Sequence, residues 1–232
     1  LHRNGPSEVL EETLSSSDPL DQFYAAEGLA LAGQDDGLPV LQTAVDAMDD
    51  WSLRERAVLA IGRLADPSTV DMLLELADDD TNYLQSAAAE AIGHMSASER
   101  ADEVFATLQR LSSEGSYDRI GSALRGLRWF DTPGAWDILR RKAKGDNWWV
   151  AQKSVELLRF DADSRPVIEE VLKKNDDWDV ANSAAQSLRH LDGPDSLEPD
   201  YLMMQAQVGS LEDHDEALER LRERGDAARL MQ

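Results

Sequence analysis

The chain has 232 residues, 42% of them apolar and 30% charged, and carries a formal net charge of −23. That composition excludes a disordered chain, the lack of any apolar run near about 18 residues excludes membrane-spanning helices, and the absence of cysteine excludes disulfides, thiolate metal sites and cysteine nucleophiles. A field of this sign repels phosphate and anionic lipid, so no nucleic acid and no membrane insertion are expected.

The opening Leu1-His2-Arg3-Asn4-Gly5-Pro6 holds no hydrophobic segment of signal-peptide type. It also lacks a starting Met, which points to a longer parent chain. The acids outnumber the bases, and the bases comprise 18 arginines but only 5 lysines. Such a surface suits a halophilic source and an ordinary acidic protein equally, and a cytoplasmic location is the simpler expectation.

Amphipathic segments with helical period follow one another along the chain. The first pair is predicted over 7–15 and 19–32, the second over 37–48 and 51–65, and the third over 67–78 and 82–95. The fourth covers 99–113 and 117–130, the fifth 133–144 and 148–160, and the sixth 164–174 and 178–191. Asp66-Pro67, Asp131-Thr132-Pro133-Gly134 and Asp192-Gly193-Pro194 stand where one helix stops and the next starts. Proline is tolerated in a first turn, and an aspartate before it caps free N–H groups. Beyond Pro199 the pattern changes, and 197–232 reads as an atypical closing pair with a polar outer face.

The pairs repeat in register. A small residue recurs in each second helix as Ala25, Ala57, Ala88, Ala123, Ser154 and Ala184, and four residues later stand Leu29, Ile61, Ile92, Leu127, Leu158 and Leu188. No β pattern competes. The fold class is therefore all-α: a right-handed α-solenoid of about six helical hairpins plus a C-terminal capping pair, forming one domain over 1–232. Ala57, Gly62, Ala88 and Gly93 are small enough to let neighbouring helices approach closely.

The run Ala-x-x-Ala-Ile-Gly-x-Leu-x-Asp-Pro from Ala57 to Pro67 resembles the short HEAT repeat of the phycobilisome-lyase-like (E–Z) family. The resemblance covers about 7 to 195 and is specific for fold rather than function, since such proteins serve as adaptors, lyase subunits and enzymes. One enzymatic branch, deoxyhypusine hydroxylase, binds iron through adjacent His-Glu pairs. Here His2, His94, His190 and His214 precede Arg3, Met95, Leu191 and Asp215, so that site is not expected. Asp213-His214-Asp215 reads as an exposed helix face, with no metal, cofactor or catalytic residue assigned.

Charge and aromatics suggest where a partner binds. From Arg119 to Phe160 nine basic residues stand against four acidic ones. Arg128, Arg159 and Arg189 share one repeat position, off the buried stripe, where they would form an exposed row along the second helices. Such a row on the concave side of a solenoid holds a carboxylate-rich or phosphorylated segment. Trp51, Tyr117, Trp148 and Trp178, with Tyr83 one residue off, start second helices at equivalent places, and packing against the turn and the next repeat is expected of them. Trp129 and Trp149 fall outside that row and, with Arg125, complete the candidate partner-binding set.

These features favour a non-catalytic scaffold or regulatory adaptor that grips a protein segment. An acidic inhibitor or immunity-type protein capping a basic effector is a second reading. The resemblance also admits a lyase subunit, or a HEAT-like DNA glycosylase, which combines a basic concave face with tryptophans and which the net charge opposes.

Overall fold

The computed structural model describes residues 6–79 and 83–192. The predicted closing pair over 197–232 and the motif Asp213-His214-Asp215 lie outside the described residues. Twelve α-helices run through the described residues, and no strand is found among them. None of those helices is long and apolar enough to cross a membrane.

The helices form hairpins at the places the register predicts. They are α1 (Pro6–Thr13) with α2 (Pro19–Leu31), α3 (Leu38–Ala47) with α4 (Trp51–Leu64), and α5 (Val70–Asp78) with α6 (Gln85–Ala91). Then come α7 (Ala101–Leu111) with α8 (Tyr117–Phe130), α9 (Pro133–Ala143) with α10 (Trp148–Leu158), and α11 (Arg165–Lys174) with α12 (Trp178–Asp192). Short 3-10 turns lead into α5 and α11, and another, Ile92–Met95, continues α6. The starts are set by side chains. Asp18, Asp50, Ser116 and Asn147 each accept a hydrogen bond from a backbone N–H of the first turn, satisfying donors that the helix cannot. Asp66 does the same for the turn before α5 and Asp161 for the turn before α11.

The described residues group into two compact units, one ending at Ala135 and the other starting at Trp136, so the division falls in the first turn of α9. In the first unit α2 packs on α4, α4 on α6 and α6 on α8, while each first helix packs on its own partner. In the second unit α12 packs on both α10 and α11. All six small residues of the repeat are buried, and so are the six aliphatic residues four positions later. This is the inner stripe of each second helix, and its burial supplies the apolar contact that holds successive hairpins together within each unit.

Backbone meets backbone where the second helices of the first unit end. A Cβ on Gly62 of α4 would lie 2.6 Å from Cα of Ala91 in α6, and one on Gly93 would lie 2.5 Å from Cα of Gly126 in α8. Only glycine allows that approach. It draws the C-terminal ends of α4, α6 and α8 together, and with them the side chains that follow those glycines.

Candidate functional site

The residue two positions after the buried aliphatic is Arg63 in the second repeat, His94 in the third and Trp129 in the fourth. The close approach of the three helices brings these together. The rings of His94 and Trp129 stack, with centroids 4.7 Å apart and planes 30° from parallel. The guanidinium of Arg128 lies over the same indole at 3.9 Å, close enough for a cation–π contact. Burial above all, then the positive charges of Arg63 and Arg128, hold the His94 imidazole below the usual histidine range, against an opposing pull from Glu90. Burial and the two cations thus favour the neutral imidazole of His94.

Arg125 completes the rim. Its Nε donates to Glu90 at 2.6 Å and its terminal nitrogen to the Ser122 hydroxyl at 2.8 Å, which ties α8 to α6. Arg63, Arg125 and Arg128 thus gather three guanidinium groups around Glu90 on a chain of net charge −23. Trp129 is 40% exposed, with His94 and Arg128 each lying against its ring. The arrangement offers guanidinium donors, a stacked imidazole and an apolar plate, which is the equipment for binding an anionic group beside an apolar one.

The second unit repeats the motif. The Arg159 guanidinium lies 4.8 Å from the Phe160 ring centroid, and Phe160 meets His190 edge to face at 5.6 Å. Arg159 and Arg189 are exposed, and Trp149 is half-buried on α10. Lys153 pairs with Glu156 at 2.9 Å, and the Ser187 hydroxyl donates to the Val155 carbonyl at 2.9 Å, fixing α12 on α10.

Three expectations need correction. Arg128 was expected to stand exposed in a row with Arg159 and Arg189, but it is half-buried because its guanidinium lies flat on the indole that follows it. Trp129 was set apart from any row, yet it occupies the same repeat position as His94, and that shared position is what stacks them. The aromatics that start the second helices were expected to pack away, but Trp51 is 62% exposed, Tyr117 54% and Tyr83 51%. Trp51 and Tyr117 are the first residues of their helices and Tyr83 precedes α6, so each ring stands at a helix end.

A family model of HEAT repeats matches residues 7–93. Residues 7–93 thus carry HEAT repeats. The structure of the complex of CpcE and CpcF of phycocyanin lyase from Nostoc sp. PCC7120 is similar, at 16% identity over 94% of this chain and 96% of that one, with a TM-score of 0.51. At that identity the likeness concerns the fold alone. A designed armadillo repeat protein is similar at 17% identity over 79% of this chain and 99% of its own, with a TM-score of 0.40. Human deoxyhypusine hydroxylase is similar at 15% identity over 93% and 85%, with a TM-score of 0.36. No curated protein matches the chain.

Proposed function

We propose that this protein is a non-catalytic scaffold or adaptor, and that the C-terminal ends of α4, α6 and α8 grip a carboxylate-bearing segment of a partner protein. The observation that carries the reading is the cluster of Arg63, His94, Arg128 and Trp129, gathered by the glycine contacts of three successive repeats. A carboxylate seated between Arg63 and Arg128 would be held by charge-assisted hydrogen bonds, and an apolar neighbour on the partner would cover Trp129. In the second unit Arg159 and Phe160 provide a similar pairing for the same chemistry.

His94 supplies the test. Its proton is disfavoured in the free protein by burial and by two neighbouring cations, and a bound carboxylate offsets both cations. Binding therefore takes up a proton. An acidic peptide should bind more tightly as the pH falls from about 8 to about 6, where carboxylates remain ionised. The ring C–H resonances of His94, followed by NMR through a pH titration, should show a pKa below the usual histidine value in the free protein and a higher one with the peptide present. An unchanged His94 titration at peptide saturation would place the contact elsewhere and reject this site.

A further inference from the structure

The opposite ends of the same helices carry a different surface. Trp51 is the first residue of α4, Tyr83 shortly precedes α6, and Tyr117 is the first residue of α8. All three are at least half exposed. Because α4 packs on α6 and α6 on α8, the rings form a row with one aromatic per repeat. Exposed carboxylates neighbour two of the rings in sequence, Asp46, Asp49 and Asp50 before Trp51 and Glu114 and Asp118 beside Tyr117, while Arg110 at this end is paired with Asp78. One ring of the row already takes a cation from its own chain, since the Arg54 guanidinium lies 5.2 Å from the centroid of Tyr83.

We propose that this row docks an extended, basic segment of a partner protein that carries arginine or lysine at every third residue. Charge complementarity identifies the class of partner, because exposed rings flanked by carboxylates bind guanidinium and ammonium groups through cation–π contacts and ion pairs together. Spacing identifies the pattern. Packed helices lie about 8–10 Å apart, and every third residue of a polyproline-type segment falls on one face at intervals of about 9 Å. Successive basic side chains thus meet successive rings. The row is separate from the Arg63 cluster: α4 runs from Trp51 to Leu64, so the two surfaces lie about 20 Å apart.

The experiment compares two synthetic peptides of identical composition on the full chain, read by calorimetry at moderate salt. One repeats Arg-Pro-Pro, and the other gathers its arginines into one block. The repeating peptide should bind about tenfold more tightly, the sum of two or three exposed cation–π contacts. Trp51→Ala with Tyr117→Ala should erase that tenfold preference while leaving the far-ultraviolet circular dichroism and the weak binding of the block peptide unchanged. Trp51→Phe, which keeps a ring, should retain most of the preference. Arg63→Glu with Arg128→Glu should leave it intact, which separates this surface from the one proposed above. Equal affinity for the two peptides would mean general attraction to a highly acidic chain and would overturn the proposal. So would a preference that survives in the double alanine variant, or a failure of both peptides to bind.

Discussion

Replacing Gly93 by alanine is expected to destabilise the first unit by about 3 kcal/mol, a large share of the roughly 5–15 kcal/mol that holds an ordinary domain folded. The added methyl has nowhere to go, because it meets the backbone of Gly126 on α8 rather than a side chain that could turn aside. The helices must separate, and the apolar stripe behind them must open. Urea unfolding should show a lower midpoint, and the stacking of His94 on Trp129 should be lost with it. Gly28→Ala is the control. There the new methyl meets only the Leu10 side chain, at 3.1 Å, and alanine is the better helix former, so the net change should stay within about 1 kcal/mol. Equal effects at the two positions would deny that close backbone approach organises the repeats.

Arg63→Glu combined with Arg128→Glu is expected to weaken binding of an acidic peptide by about 100-fold or more. Each guanidinium–carboxylate contact contributes about 1.5–3 kcal/mol, and reversing both charges replaces attraction with repulsion, so two contacts account for the change. Helical content should persist, since Arg63 is exposed and Arg128 rests on the surface of Trp129. Raising the salt concentration should weaken wild-type binding and narrow the gap between the two proteins. Retained affinity in the double variant would remove these arginines from the site.

Much of the fold was legible because the repeat is written at positions that must be small or aliphatic. Ala57 and Ala88 cannot be larger where helices cross, and Ile61 and Ile92 must be apolar where they fill the stripe, so the same residue types recur and the hairpins can be counted. Asp50, Asp66, Ser116 and Asn147 announce helix starts through capping chemistry, and the helix boundaries follow within a few residues. Gly62 and Gly93 also declared themselves as points of close approach. Gly126 did not, since it lies at a different repeat position from the two glycines it resembles in function.

The candidate site was harder to read. Arg63, His94 and Trp129 occupy one repeat position but share no chemistry, so a search for recurring residue types passes over them, and only alignment by position brings them together. Trp129 was singled out for its type and Arg128 for its row, yet their contact with His94 depends on a helix separation set by Gly93 and Gly126. The exposed aromatics at the helix starts were misjudged for a related reason. Regular spacing of Trp51, Tyr83 and Tyr117 looks like packing, but each stands at or just before the first residue of its helix and is at least half exposed.

Hydrogen–deuterium exchange of the full chain, with and without a saturating acidic peptide, tests most directly whether the ends of the second helices form the binding surface. Amides near residues 60–64, 91–95 and 126–130 should gain protection together, while those of α3, α5 and α7 stay unchanged. Protection confined to the first helices, or absent from the three second-helix ends, would contradict it.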